Sequence, residues 1–453
     1  MKSIFILLSV LILIFSGCSY SLNTASVKKN NDIAIKNINV ISMEKEELLT
    51  NQTVLISDGL ISDIGASNKV EIPKDCETID GEGKFLIPGL IDMHTHIMDK
   101  NDLKLFISNG VTTIRNMAEL PDPTKYSGSI QNKLNFIDTL SLKNSIKNGE
   151  LLGPEIYQAG HVLDGNPPYH EYYCTPIEAG ADIDSIVKAE KEKGYDYIKV
   201  YWNLSKPDYL AISAAASKYD MKVVGHVPNS MTYEDAVKSE MYTIEHLTGL
   251  YNPKEVMPNL DNLIKTTNES QTWICPTLIE LKNILPRDNP QIKVLKNREE
   301  NKYIAKEMLS FWDEELSRWG GLTGYAGEAI DYFKHLVSQF HRGGVQIIAG
   351  TDCGAMPYVL PGFSIHEELE LFTDSGLSNY EALKTATIDA ARCLNQQNSI
   401  GSIAVGKEAN LILLNENPLK EIKNTKNISD VFLKGKRISN EEINELLSSI
   451  EKK

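Results

Sequence analysis

FLIPGLIDMHTH, Phe85 to His96, is the stretch on which the fold reading turns. Its apolar part is dense enough for a strand buried on both faces, as strands of parallel sheets are. Its end places two imidazoles, His94 and His96, two residues apart, so both leave the same face and can converge on one ion. Seven runs of similar character follow: GVTTIRNM (110–117), EIYQAGHVLD (155–164), YIKVYW (197–202), KVVGHV (222–227), YTIEHL (242–247), TWICPTL (272–278) and QIIAGTD (346–352). Helical patterns separate them. Eight βα units over about 310 residues is the scale of an α/β (β/α)8 TIM-like barrel. An open doubly wound sheet would carry a Gly-rich phosphate turn early in the chain, and none is present.

Four more polar residues fall where these runs end. Lys199, His226 and His246 are 27 and 20 residues apart, about one βα unit each, and Asp352 closes the eighth run. Barrel active sites are assembled at the C-terminal face from the ends of several strands, which is where these residues would meet His94 and His96. A single histidine at a strand end is usually a hydrogen-bonded structural residue, and His335 and His341 are read that way. Six residues in order on one face predict metal ligands: His94, His96, Lys199, His226, His246 and Asp352.

Outside the barrel, β-rich runs from Asp32 to Lys84 alternate with the turn signals Asp58-Gly59 and Asp80-Gly81, which read as hairpins, and similar runs return in ANLILLN and DVFLKGKRIS. Residues 32–85 plus 397–440 are therefore expected to form a small β-sandwich module made of both chain ends, around a barrel of residues 86–396, with a helical tail at 441–453. The charged, helix-like stretch 279–334 is expected as a solvated excursion or a lid.

A chain of 453 residues with 42% hydrophobic content can bury a large core, while a net charge of -15 argues against nucleic acid, whose phosphates need clustered Lys and Arg. Met1 and Lys2 precede the apolar run Ile4 to Phe15, which is shorter than the ~20 residues a membrane-spanning helix needs. Phe15-Ser16-Gly17-Cys18 resembles a bacterial lipobox. The resemblance implies a lipoprotein signal peptide over 1–17, lipidation of Cys18, a polar tether over 18–31, and an extracytoplasmic protein, periplasmic or at the cell surface, held to the membrane by its lipid anchor only. The five other cysteines are scattered without a CxxC pair, so no disulfide framework is expected, and Cys353 reads as a small strand-end residue.

The combination FLIPGLIDMHTH, YIKVYWNLS, VVGHVP, YTIEHL, AGTDCG, HEELEL with EALKTAT, and GSIAVGKEANLILL resembles the amidohydrolase superfamily over residues 32 to 436. The branch is that of imidazolonepropionase-like amidohydrolases, which includes metal-dependent dipeptidases acting on Xaa-Pro or Xaa-Arg/Lys bonds. The resemblance implies two divalent metal ions. His94, His96 and Asp352 would bind the more buried one and His226 and His246 the other. Lys199 would bridge them as a CO2-derived carbamate, since an ammonium would be repelled by two cations. Zinc suits the donors, and Mn or Co would serve the same chemistry. A bridging hydroxide would attack the scissile carbonyl, with Asp352 as general base and then general acid.

The implied reaction is hydrolysis of a C–N amide bond in a small molecule, a dipeptide or an N-acyl amino acid. A lactonase or ester hydrolase would use the same ligands, and a non-catalytic binding lipoprotein is the rival from another class. Imidazolonepropionase activity itself is disfavoured, because those enzymes show a one-metal pattern without the bridging lysine. Tyr201 lies two residues past Lys199 on the same side of its strand and is a candidate substrate donor. His161, at the end of the third run, is a second substrate-binding candidate. His366, opening the helix after the eighth strand, is a candidate support behind the ligands. Arg115-Asn116 stands where members of the family often show Arg-Asp. A homo-oligomer is compatible with the sequence.

Overall fold

A computed structural model describes residues 32–119, 137–171, 173–285, 289–319 and 326–452. The N-terminal runs form β1 Ile33–Val40, β2 Leu49–Ser57, β3 Leu60–Ala66, β4 Glu77–Asp80 and β5 Phe85–Pro88. β2 and β3 pair antiparallel through Asp58-Gly59, both at positive φ (50° and 82°), the two-residue turn whose twist matches paired strands. Asp80-Gly81 is not a hairpin. It links β4 and β5, which both run parallel to β1, β4 along Ile33–Lys36 and β5 along Asn39 and Val40, so the chain steps along one neighbour without reversing.

The barrel staves are β6 Leu90–Thr95, β7 Val111–Asn116, β8 Glu155–Asp164, β10 Tyr197–Val200, β11 Lys222–Gly225, β12 Thr243–Glu245 and β13 Trp273–Cys275, all parallel in chain order. The short β9 Cys174–Pro176 pairs with the far end of β8. The eighth run closes the ring without becoming a continuous strand. Ile348 N–H donates to Ile274 O at 3.0 Å, and Met93 N–H donates to Ala349 O at 2.9 Å, joining β13 to β6. The ladder stops there because Asp352 takes φ 61° and the N–H groups of Thr351 and Asp352 both turn onto His94 O. Gly350 permits the approach: a Cβ there would lie 2.4 Å from Cys275 Sγ and 2.8 Å from His94 Cβ.

The chain then returns to the first sheet as β14 Leu411–Leu414, β15 Ile428–Leu433 and β16 Lys436–Ile438, in the order β16-β15-β14-β5-β1-β2-β3. FLIPGLIDMHTH is thus two strands. Phe85–Pro88 pairs with β14 in the terminal sheet, Leu90–Thr95 opens the barrel, and the boundary expected after Phe85 falls at Gly89. A Cβ on Gly89 would sit 2.2 Å from Thr112 Oγ1, so only glycine lets the chain cross there.

Ile35, Ile38, Val54, Ile56, Leu86, Leu411 and Phe432 form the core of the terminal sheet. Ile91, Met93, Ala159, Tyr197, Val224, Trp273 and Ile348, from six staves, pack together in the barrel. Within the stretch 279–334, Ile304, Met308, Phe311 and Trp312 pack against Tyr358 and Leu360, and Trp312 Nε1–H donates to Gly354 O at 3.1 Å. That stretch is therefore docked on the loop that follows Asp352. The last helix, Asn440–Ser448, starts at a capping box of Ser439 and Glu442 and buries Ile443. No helix among the described residues is long and apolar enough to cross a membrane. The signal segment 1–17, Cys18 and the tether lie outside the described residues.

Candidate active site

Parallel staves that end in polar residues deliver those residues to one rim. His94, His96, Lys199, His226, His246 and Asp352 are each at most 6% exposed there. Asp352 Oδ1 lies 3.3 Å from His94 Nε2 and 3.0 Å from His96 Nε2. Ring centroids are 4.5 Å apart for His94 and His246 and 4.7 Å for His226 and His246. Lys199 pairs with Val224 across β10 and β11 and makes no ion pair among the described residues. His246 and Asp352 take left-handed backbone, φ 59° and 61°, a conformation that costs energy in non-glycine residues and concentrates at functional sites. Their N–H groups hold it, donating to Cys275 O at 2.9 Å and His94 O at 2.8 Å.

Most of these imidazoles have one nitrogen tied from behind. His94 Nδ1 is 2.8 Å from Glu245 Oε2. His246 Nδ1 is 2.5 Å from Glu280 Oε2 and 2.7 Å from Thr277 Oγ1. His96 Nδ1 is 3.3 Å from the Tyr173 hydroxyl. By contrast, His226 Nδ1 and His94 Nε2 are buried without a hydrogen bond, His94 Nε2 being near Asp352 but outside hydrogen-bonding geometry. Buried polar atoms are nearly always partnered, and an imidazole pinned on one nitrogen with the other left bare is the arrangement that metal ligands show. The donor atoms of His94, His246 and Asp352 lie within 4.8 Å of one another and can hold an ion. His94, Glu245 and Cys275 meet the same spacing. We assign that group a structural role, because Glu245 is already engaged by Arg115, Thr243 and His94.

At His94 and His226 the electrostatics agree with the donor geometry. Burial, reinforced by the charge of Lys199, pushes His94 and His226 well below the usual imidazole range, so both are neutral, as ligands must be. Burial pushes Lys199 down as well, against the pull of Glu245 and Asp352. Asp352 goes the other way: burial would raise it, but the hydrogen bond from His96 and the charge of His246 hold it below the carboxylate range. For His246, the Glu280 carboxylate outweighs burial and raises the imidazole.

Other expected residues divide. Tyr201 reaches the rim, its ring 4.1 Å from that of His226. His161 does not. In register with Lys199 it is Val162 that shares the inward face, so His161 turns outward, its Nδ1 3.0 Å from Glu190 Oε1 on the helix Ile183–Lys193. A bulge in β8, where Ala159 pairs with Tyr197 but Val162 with Lys199, thus shifts the alternation by one residue and turns His161 away from the rim. His366 supports no candidate ligand either: Nε2 is 3.2 Å from Asn109 O and Nδ1 2.9 Å from Thr425 Oγ1, which ties its helix to two neighbouring segments. Cys353 is fully buried and forms a bridge with Thr95.

Supporting residues without a place in the sequence reading are Glu245, Glu280, Thr277 and Tyr173; Arg115, noted there beside Asn116, donates from Nη2 to Glu245 Oε1 at 2.8 Å. Glu245 did carry a signal, being a carboxylate inside the apolar run YTIEHL. Glu280 carried none, because a left-handed turn at Thr277, φ 48°, brings it back to the rim.

The model of the amidohydrolase family matches residues 85–438. The 5-methylthioadenosine/S-adenosylhomocysteine deaminase of Thermoanaerobacter pseudethanolicus is 27% identical over 413 residues, covering 84% of this chain and 85% of the deaminase. Bottromycin amidohydrolase superposes with a TM-score of 0.72 at 20% identity, covering 94% of this chain and 92% of its own. A Xaa-Pro dipeptidase with methionine bound in its active site superposes with a TM-score of 0.68 at 19% identity, covering 90% of this chain and all (100%) of its own. At such identities these two structures show the shared fold.

Proposed function

The chain belongs to the amidohydrolase family and is a hydrolase acting on C–N bonds; on that premise we propose that it hydrolyses the amide bond of a dipeptide or an N-acyl amino acid. The observation that carries this reading is the ring of six buried donors with His226 Nδ1 and His94 Nε2 bare. The dipeptidase among the structural neighbours supports the substrate class.

We read the donor set as the ligands of two divalent ions, His94, His96 and Asp352 forming one half and His226 and His246 the other, with His246 also within reach of His94 and Asp352. Two such ions, zinc being the match to imidazole and carboxylate donors, supply Lewis acidity toward a carbonyl and a water that ionises near neutral pH. The charge of Lys199 acts on both halves, lowering His94 and His226 alike. The burial of this lysine with no ion pair among the described residues favours the neutral amine, which would add to CO2 and release a proton, so that an anionic, two-oxygen carbamate replaces a repelled ammonium. Asp352 enters ionised, accepts the proton of the attacking water at a carboxylate oxygen and delivers it to the departing amine nitrogen. Tyr201, whose phenol burial pushes well above its usual range, keeps its proton and donates to the substrate carbonyl as charge develops there. The N-terminal segment supports a lipid-anchored, extracytoplasmic setting through Cys18, where peptides reach the rim from outside the cell.

A metal assay combined with a substrate panel tests the reading. We expect about two equivalents of metal per chain, turnover of dipeptides or N-acyl amino acids, and loss of that turnover in Lys199→Ala. Lactones cleaved in preference to amides overturn it.

A further inference from the structure

Glu280 stands in the helix Leu278–Asn283, at the rim beyond β13. Its Oε2 takes both bonds that fix His246, from Nδ1 at 2.5 Å and, through Thr277 Oγ1, at 2.8 Å. Its Oε1 has no partner among the described residues, and the side chain remains 12% exposed. Orienting one imidazole needs one oxygen, and a carboxylate has lone pairs to spare on the other.

Around the same rim stand four aromatic rings. Tyr201 and Trp202 lie 4.1 and 4.9 Å from His226, centroid to centroid, and Trp202 continues to Tyr251 at 5.8 Å and Tyr169 at 6.2 Å. Tyr169 and Tyr251 are 42% and 39% exposed, so the row opens to solvent. Among the described residues no Lys or Arg lies over any of the four, although Tyr195, Tyr197, Tyr219, Tyr242 and Tyr303 elsewhere each carry one. The rim is also negative: after burial, the charges of Glu280 and Asp352 are among the causes that raise the phenols of Tyr201 and Tyr251.

We propose that Glu280 Oε1 and the faces of Trp202 and Tyr251 form a subsite for a protonated primary amine, so that the substrate is a peptide with a free N-terminus and not an N-acylated amino acid. The proposal rests on the amide-hydrolase reading of the same site. An ammonium is the complement of a spare carboxylate oxygen on a rim whose aromatic rings carry no Lys or Arg among the described residues. Glu280 touches the candidate ligand His246 directly, and that one imidazole stands between it and the His94 and His226 rings. An amine there belongs to the residue whose carbonyl is attacked, as an α-amine does, and not to the end of a long side chain.

Calorimetric titration with L-leucinamide and with N-acetyl-L-leucinamide tests the subsite without requiring turnover. The free amine is expected to bind at least about tenfold more tightly than its acetylated form. That preference should disappear in Glu280→Gln and shrink in Trp202→Leu, with metal content followed in the same samples. In parallel, kcat/KM for Leu-Pro is expected to exceed that for N-acetyl-Leu-Pro by a similar factor, and the ratio to fall toward one in Glu280→Gln. Equal binding of the two amides, or an equal loss of both in Glu280→Gln, overturns the subsite and leaves Glu280 with the orientation of His246 alone. Selective binding of leucinamide by a protein that cleaves neither peptide upholds the subsite and rejects the dipeptide reading instead.

Discussion

Glu245 accepts from both sides at once: Oε2 is 2.8 Å from His94 Nδ1, and Oε1 receives Arg115 Nη2–H at 2.8 Å. The three side chains are 0–1% exposed. The carboxylate fixes the His94 tautomer with its proton on Nδ1, and the guanidinium satisfies its other oxygen where no water reaches it. Glu245→Gln is expected to weaken metal binding about 10–100-fold, read by competition with a chelator. Arg115→Met strands a buried carboxylate and is expected to cost about 3–5 kcal/mol in urea unfolding. Wild-type metal affinity in Glu245→Gln would remove Glu245 from the support of the site.

Lys199 separates stability from function. A buried amine without a counter-ion is unfavourable in the metal-free protein, so Lys199→Met is expected to raise the unfolding free energy of that form by about 1–3 kcal/mol while amide hydrolysis is lost. Denaturation of chelator-treated protein gives the first quantity and a turnover assay the second. Lower stability in the variant contradicts the account of Lys199 as a strained, uncompensated group.

His366 makes acid sensitivity predictable. Burial pushes its pKa down to about 3, with Lys426 adding to the effect, against about 6.5 in the unfolded chain. Between those values the unfolded state binds the extra proton, so this contribution is complete above pH 6.5 and lost on acidification, by about 2 kcal/mol at pH 5. Buried Asp102 and Glu368, raised to about 7 and about 8, act with the opposite sign. The informative quantity is therefore the difference between wild type and His366→Gln, which should narrow from pH 7 to pH 5. A difference independent of pH over that window refutes the assignment.

Gly89→Ala is expected to destabilise the protein by about 1–3 kcal/mol, because the new Cβ meets Thr112 Oγ1 at 2.2 Å. The measure is the urea midpoint at unchanged slope.

Cys18→Ala is expected to move the protein from the membrane to the soluble fraction, followed by fractionation and by labelling with a radioactive fatty acid. Unchanged membrane association would separate location from the thiol.

The rim was readable in sequence because parallel staves bury both faces and so read as apolar runs: a polar residue at the end of such a run stands out, and chain order carries it to one end of the barrel. That logic reaches His94, His96, Lys199, His226, His246 and Asp352. It fails for His161, where a bulge in β8 shifts the strand alternation by one residue, and for His366, whose position at a helix start looked the same for packing as for support. Glu280 was hidden because its approach depends on the backbone at Thr277, and the Asp80-Gly81 turn misled because a turn signal does not say whether the flanking strands share a neighbour. Gly89 shows the same limit: the run is continuous in hydrophobicity, and only the proximity of Thr112 reveals why it must break.

The terminal sheet also orders events during synthesis. Leu86 finds its antiparallel partner in Leu413, 327 residues further along, so in a chain delivered from its N-terminus β5 waits with one edge open until the whole barrel segment has followed. Every barrel stave emerges within that interval. The enzyme thus acquires its reaction chamber before its two ends can be tied, and a premature stop near the finish would leave a nearly whole barrel attached to an unsealed, self-associating ribbon.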